Sequence, residues 1–331
     1  MEAATIGLDI SKHVFHIHAV DDQGQVAGRQ RLRRGEIVSF FSSLAPCLVG
    51  IEACATAHHW ARDIPQFGHD VRLIPPAYVK PYLRRGAKND AADAAAICEA
   101  VSRPNMRFVP IKSAENQGFL MLHRTRGLLV RRRTMRACAI RAHFAEFGII
   151  VGQGRQRVDG LVDLLDDEGL TLPAHALIAL VVLVSQLKEL DRQVEAIERE
   201  LAEIQQVNPM AKLLSSIPGI GPITATALAA TVPDATMFRS GREFAAWLGL
   251  TPKQNSTGGK DRLGRITKQG DSYLRHLLVI GARNVVRYPK ARSRVGGGWI
   301  EALLERRRPM VVGKRSVETH RIVCAESREH R

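Results

Sequence analysis

Asp90 and Asp93 stand three residues apart at the head of Asp90-Ala91-Ala92-Asp93-Ala94-Ala95-Ala96-Ile97, an alanine-rich run that the sequence predicts as a helix. At that spacing both carboxylates leave one helix face, about one turn apart. A single acid at a helix start serves capping, because the free N–H groups there favour negative charge. Two acids on one face repel unless a cation lies between them, and hard divalent ions take carboxylate oxygens. Two further acids fall at predicted strand ends. Asp9 closes Ile6-Gly7-Leu8-Asp9-Ile10, a run otherwise too apolar to want a charge, and Glu52 follows Leu48-Val49-Gly50-Ile51. A half-buried acid needs a partner or a metal, and ligands in α/β sheets gather beyond strand ends. Asp9, Glu52, Asp90 and Asp93 are therefore four carboxylates able to converge on one metal site.

A second stretch with chemical potential runs from Lys253 to Asp271. It is glycine-rich, polar and basic, with Lys253, Lys260, Arg262, Arg265 and Lys268 against Asp261 and Asp271, and Ser256 lies within it. It has no G-x-x-x-x-G-K-[ST] pattern, which excludes a nucleotide P-loop. On its residues alone it reads either as a surface loop that binds phosphate or as a place for a serine nucleophile. A third stretch, His123 to Arg141, holds seven arginines (124, 126, 131, 132, 133, 136 and 141) and no acid. Such a window suits phosphates better than a balanced solvated face does.

The elements that must position these groups follow from patterning. Three strands are expected within residues 5–33, the second alternating as Val14-Phe15-His16-Ile17-His18-Ala19-Val20, the third over 25–32 with Arg29, Arg31 and Arg33 outward. A helix over 36–44, a strand into Glu52, a helix over 57–66 and a strand over 70–74 complete a mixed α/β sheet covered by helices. His58 and His59 on the second of these helices read as packing or polyanion contacts. Residues 112–150 are expected as one long helix, perturbed near Gly127 and ended by Gly148 to Gly154. From Leu180 to Ile204 apolar residues recur three and four apart (Leu180, Leu183, Leu187, Leu190, Val194, Ile197, Leu201, Ile204). This pattern fits a coiled coil about 37 Å long, or equally a two-helix hairpin packed within one chain. Ile217-Pro218-Gly219-Ile220-Gly221-Pro222 then separates two helices, with Pro222 well placed at a helix start.

Composition bounds the possibilities. The 331 residues carry 48 Lys and Arg against 33 Asp and Glu, net charge +15, with an isoelectric point near 10.2. Such a field favours polyanions, nucleic acid first among them. Residues 176–184 form the longest apolar run, short of the roughly 18 residues of a membrane span, and the N-terminus lacks a signal-peptide pattern. Five scattered cysteines (47, 54, 98, 138 and 324) without a C-x-x-C pair point to reduced thiols in the cytoplasm and indicate neither zinc nor disulfides.

Gly7-Leu8-Asp9-Ile10-Ser11-Lys12, Ile51-Glu52-Ala53 and Lys88-Asn89-Asp90-Ala91-Ala92-Asp93 together resemble the RuvC-like, ribonuclease-H-like N-terminal domain of the DEDD transposase family of insertion sequences. That family includes the Piv-type invertases and RNA-guided bridge recombinases. Gly249-Leu250-Thr251-Pro252 followed by Asn255-Ser256-Thr257-Gly258-Gly259-Lys260 resembles its C-terminal transposase domain, so the likeness covers roughly residues 5–290. The resemblance implies a RuvC-like catalytic domain (1–110), a helical or coiled-coil region (111–208) and a mainly α-helical transposase domain (209–331). The Gly219-Ile220-Gly221 stretch resembles a helix-hairpin-helix, whose backbone N–H groups can face a phosphate; a plain helix–turn–helix packing unit is the other reading.

The resemblance further implies Asp9, Glu52, Asp90 and Asp93 as ligands of Mg2+ or Mn2+. Ser256 is implied as the nucleophile, with Thr257 as the neighbour if the alignment slips by one. The expected function is cutting and exchanging the DNA strands of an insertion sequence, guided by a structured bridge RNA. Donor and target DNA, that RNA and further copies of the chain (a dimer or tetramer) are the implied partners, in the cytoplasm at the nucleoid and with no membrane. Arg124, Arg131, Arg132, Arg133 and Arg136, the pair Gly219 and Gly221, and Lys260, Arg262, Arg265 and Lys268 are the expected nucleic-acid contacts. The C-terminus departs from the family pattern, with Gly296-Gly297-Gly298 and the polar Gly313-Lys314-Arg315-Ser316-Val317-Glu318-Thr319-His320-Arg321 where an alanine-rich helix is usual. Competing readings are a Holliday-junction-type nuclease using the carboxylates and water, and a catalytically decayed nucleic-acid-binding protein. A sugar-kinase-like ATPase shares the first strand's Gly-Leu-Asp-Ile-Ser-Lys but needs a second phosphate loop that the sequence does not supply.

Overall fold

The computed structural model describes residues 2–83, 89–165, 167, 169–290, 297–307 and 309. Arg84, Arg85, Gly86 and Lys88 of the basic run and motif lie outside the described residues, as do Gly296, Arg308, Cys324 and the polar stretch 313–321. The chain divides into two compact units, Met1–Asn116 and Gln117–Arg331.

The first unit is built on a mixed sheet of β1 (Thr5–Ile10), β2 (Val14–Val20), β3 (Val26–Arg33), β4 (Leu48–Glu52) and β5 (Asp70–Ile74) in the order β3-β2-β1-β4-β5. β1 runs parallel to β4 and β4 to β5, whereas β2 and β3 form an antiparallel meander on β1. This mixed sheet is consistent with the ribonuclease-H-like expectation. The helices are α1 (Ile37–Ser42), α2 (Ala57–Asp63), α3 (Pro76–Val79) and α4 (Asp90–Val101). Ile6, Leu8, Phe15, Ile17, Val49 and Ile51 from the strands meet Phe41 and Trp60 from the helices in one core. The exposed row Arg29, Arg31 and Arg33 lies along β3, as its alternation predicts.

The second unit is helical: α5 (Ala114–Ala145), α6 (Arg155–Leu164), α7 (Ala174–Val207), α8 (Pro209–Ser215), α9 (Pro222–Thr231), α10 (Gly241–Trp247), α11 (Ser272–Arg287) and α12 (Gly297–Leu304). A short hairpin, β6 (Pro252–Gln254) with β7 (Leu263–Ile266), interrupts it. α5 runs unbroken through Gly127, contrary to the expected perturbation. A Cβ there would meet nothing within 4 Å, so a single partly exposed glycine weakens the helix without bending it.

The apolar stripe of α7 is buried by the chain itself at Leu180, Leu187, Val194, Leu201 and Ile204. Leu180, Val184 and Leu187 pack with Ala137, Ile140 and Phe144 of α5 and Val158, Leu161 and Val162 of α6. Polar pairs Arg126–Glu198, Arg133–Asp191 and Arg136–Gln186 tie α5 to α7, numbers rising on one helix as they fall on the other. The two helices are thus antiparallel neighbours within one chain.

Candidate functional site

Two glycines decide where the acids meet. A Cβ on Gly7 would lie 2.1 Å from the Ala94 carbonyl oxygen and 2.4 Å from the Cys98 nitrogen, and one on Gly50 would lie 2.7 Å from the Val101 Cβ. Only residues without a Cβ let the α4 backbone rest directly on β1 and the Val101 side chain seat on β4. The buried Ala94 keeps the helix face over β1 equally thin. The first turn of α4 is thereby set against the end of β1, where Asp9 pairs in register with His16 of β2.

The helix start is capped by Asn89, whose side-chain oxygen accepts the Ala92 N–H at 2.8 Å. Neither Asp90 nor Asp93 is needed for that task. Carboxylate oxygens of Asp9, Asp90 and Asp93 all lie within 4.8 Å of one another. Burial first, then the charges of Asp93, Asp90 and Glu52, push the Asp9 carboxyl from 3.8 up to about 6. Glu52 is also raised, by burial and then by Asp93. The three aspartates form the compact group, and Glu52 stands outside it yet within electrostatic reach. An all-oxygen set of like charges is what a hard divalent cation fits, and its own groups leave the repulsion uncompensated.

His16 is a neighbour that sequence patterning did not single out. Its Nδ1 is buried without a hydrogen-bond partner, 3.6 Å from Asp90 Oδ2. That separation is an electrostatic contact and too long for a hydrogen bond. Antiparallel registry with Asp9 is the only signal that could have found it. His58 instead serves packing, accepting the Lys112 N–H at 3.2 Å.

The glycine-rich stretch expected as a loop is an ordered hairpin. Gly258 (φ 56°) and Gly259 (φ 76°) form its tip, both in the left-handed region, between a bridge of Thr257 with Lys260. Two consecutive positive φ values make the tight turn whose twist suits a hairpin. The Asn255 N–H donates to the Arg262 carbonyl at 2.7 Å, which sets Ser256 opposite Asp261. Ser256 Oγ donates to Asp261 Oδ1 at 3.1 Å and accepts the Arg262 N–H at 3.2 Å.

The hairpin base is fixed by glycines with no room for a Cβ. One on Gly249 (φ 72°) would lie 2.1 Å from the Gln269 oxygen, and one on Gly270 (φ 76°) 2.1 Å from the Trp247 oxygen. Arg275 of α11 donates to the Leu248 and Gln269 carbonyls at 2.7 and 2.9 Å. Lys260, Arg262, Arg265 and Lys268 are all exposed around this hairpin, Lys268 with φ 57°.

The arginine window is less uniform than its acid-free sequence predicts. Arg126 pairs with Glu198, Arg133 with Asp191, and Arg136 donates to Gln186 at 2.7 Å. Arg124, Arg131 and Arg132 are exposed and have no such pairing among the described residues. Between α8 and α9, Gly219 (φ 89°) packs onto α11, where a Cβ would lie 2.9 Å from the Gly281 oxygen. Gly221, at the N-terminus of α9, has open space around it.

His123, buried on α5, joins three elements: Nδ1 lies 3.1 Å from the Tyr273 hydroxyl of α11 and Nε2 3.1 Å from Thr226 Oγ1 of α9. Thr226 donates its hydroxyl hydrogen to the Pro222 carbonyl at 2.7 Å, so Nε2 carries the ring hydrogen and Nδ1 accepts from Tyr273. Burial first, then Arg126, lowers His123 from 6.5 to about 4.

Comparison with known proteins gives independent findings. Residues 6–149 match the DEDD-type IS110 profile described as a transposase, and residues 211–295 match the profile described as the IS116/IS110/IS902 transposase family. A probable family 20 transposase of Pseudomonas aeruginosa is 46% identical over 94% of this chain and 93% of its own. The transposase for insertion sequence element IS1328 of Yersinia enterocolitica is 39% identical over 93% of this chain and 91% of its own. The transposase for IS1111A of Coxiella burnetii is 37% identical over 91% and 83% respectively. Among the described residues no helix is long and apolar enough to cross a membrane.

Proposed function

As the chain belongs to the IS116/IS110/IS902 transposase family, we propose that it cuts and rejoins the DNA strands of an insertion sequence through two sets of groups. Asp9, Asp90 and Asp93, with Glu52 beside them, hold Mg2+ or Mn2+; Ser256 attacks the phosphodiester. The convergence of the three aspartates within 4.8 Å is the observation that carries the metal part. A divalent ion held there neutralises phosphate charge and activates an oxygen nucleophile.

The remaining roles belong to the chain's own side chains. β1 and α4 fix the acids before any ligand arrives, which makes the site preorganised for charge stabilisation. Lys260, Arg262 and Arg265 lie on the hairpin that presents Ser256, where they draw a phosphate in and offset its charge. A serine–phosphate ester retains the bond energy needed for rejoining. Lys268, Gly221 and the exposed Arg124, Arg131 and Arg132 extend the nucleic-acid contacts. Gly219, packed on Gly281, acts by keeping the α8–α9 turn tight. The exposed arginines fit a structured guide RNA, which is recognised through its backbone, and the assembly is a dimer or tetramer.

The second reading, a junction nuclease with water as nucleophile, gains support from Ser256, whose hydrogen bonds also account for it as a residue that closes the hairpin. Incubation with magnesium, the element's flanking transcript and a duplex carrying the element's ends separates the two. A detergent-stable protein–DNA adduct, absent in Ser256→Ala, is expected. Free cleaved ends at wild-type rate in Ser256→Ala would overturn the serine part and leave the carboxylate part standing.

A further inference from the structure

The hydrogen-bond arrangement at Ser256 contains more than a nucleophile. A hydroxyl has one hydrogen and two lone pairs. Ser256 Oγ directs its hydrogen to Asp261 Oδ1 at 3.1 Å, and its lone pairs take the Arg262 N–H at 3.2 Å and Gln254 Nε2 at 3.4 Å. The Gln254 contact is at the limit of a hydrogen bond and leaves that lone pair available to an incoming phosphorus.

Asp261 is the only acid between Pro252 and Ile266, among Lys253, Lys260, Arg262 and Arg265. A carboxylate placed where a phosphodiester must approach weakens DNA binding by repulsion, and the Gly258-Gly259 turn does not require it. Serine at neutral pH is a weak nucleophile that needs an adjacent base. An aspartate that accepts a hydroxyl proton is an established device of phosphoryl transfer.

We propose that Asp261 is the general base for Ser256, a role that rests on Ser256 being the nucleophile. In the step, the bond from Ser256 Oγ to phosphorus forms while the bridging bond from phosphorus to a deoxyribose oxygen breaks. The Oγ proton moves to the Asp261 carboxylate, and the departing sugar oxygen leaves as a hydroxyl with a proton from solvent. The tight turn is what holds base and nucleophile opposite each other, either side of the hairpin tip.

Asp261→Asn is the decisive variant, because its Oδ1 still accepts the Ser256 hydrogen bond but takes no proton. The full chain is mixed with magnesium, the element's flanking transcript and a duplex carrying the element's ends, and adduct formation is followed in a single turnover. The expected result is adduct formation about 10²–10³-fold slower, with DNA affinity, measured without metal, equal to or tighter than wild type. Asp261→Glu recovers part of the rate. In a Ser256→Cys background the loss on Asp261→Asn shrinks to within about tenfold, because a thiol ionises without help. Adduct formation by Asp261→Asn at wild-type rate overturns the base assignment while Ser256→Ala, still adduct-free, leaves the nucleophile in place. An adduct that persists in Ser256→Ala overturns both.

Discussion

Asp93→Asn should stabilise the metal-free protein while abolishing its response to metal. Asp9 is raised from 3.8 to about 6 by burial and then by Asp93, Asp90 and Glu52. Because Asp9 is only half-buried, solvent screens part of this cost, and the folded state carries about 2 kcal/mol when Asp9 is ionised. Asp93 is the largest of the three charge contributions and also raises Glu52, so its removal should return about 1 kcal/mol at pH 8. The sign with pH follows from linkage. The folded carboxyl binds its proton more tightly than the unfolded one, so the destabilisation that Asp9 brings to the metal-free first unit is relieved as pH falls through 6 towards 3.8. The advantage of the variant over wild type should therefore shrink at pH 5, where Asp9 is protonated in the folded state.

Magnesium should reverse the order. Binding to the native state alone adds about 2.7 kcal/mol at a ligand concentration one hundred times Kd, and a site lacking Asp93 forgoes most of this. Calorimetry of the full chain in chelator and in saturating magnesium, at pH 8 and pH 5, reads these effects. Amide-exchange protection of α4 identifies the transition of the first unit. About 1 kcal/mol corresponds to roughly 4 °C for a unit of this size. A variant no more stable than wild type in chelator at pH 8, or one equally stabilised by magnesium, would refute the reasoning.

Gly7→Ala places a Cβ 2.1 Å from the Ala94 oxygen, and forcing α4 off β1 should cost about 2–3 kcal/mol; denaturant unfolding checks the loss, and a magnesium titration should show weaker binding. His123→Phe should flatten the acid limb of the second unit's stability. Its folded value near 4 lies below the unfolded 6.5, so the wild type loses stability as pH falls through that window, about 2 kcal/mol by pH 5. Unfolding of both proteins at pH 7.5 and pH 5 decides this. Replacing Arg124, Arg131 and Arg132 with Ala should weaken binding to the element's transcript at moderate salt and lower the salt slope by about one per lost phosphate contact. Arg133→Ala should instead act chiefly on stability, since Arg133 is engaged by Asp191; equal binding losses from the two variants would contradict that division.

The sheet was legible because each strand carries its own signal: alternation in β2, β3 and the start of β5, apolar runs in β1 and β4. The acids were legible because a charge in Ile6-Gly7-Leu8-Asp9-Ile10 is costly unless something holds it. What escaped were relations between distant segments. The acid-free arginine window looked uniformly available, yet three of its arginines find partners at Gln186, Asp191 and Glu198 on an antiparallel helix. The α7 stripe left open whether a second chain or the same chain covers it, because periodicity records a buried face and not what buries it. The Ser256 hairpin was signalled by Gly258-Gly259, but that turn signal sat inside a polar, glycine-rich stretch whose composition reads as loop.

The same relations explain why the acidic pair is not a capped helix start. Asn89 takes the capping hydrogen bond, so helix formation leaves both aspartates free to be placed for another reason. That placement opposes stability: it sets them beside Asp9 and within reach of Glu52, and raises the Asp9 carboxyl. Packing enforces it through Gly7 and Gly50, which have no local conformational need of glycine, since both lie in regular strands. A strand with a side chain at either position would hold the helix further out and relax the repulsion. The glycines pack α4 closely against the sheet, and the repulsion among the acids that this packing brings together is what a bound divalent cation would reverse.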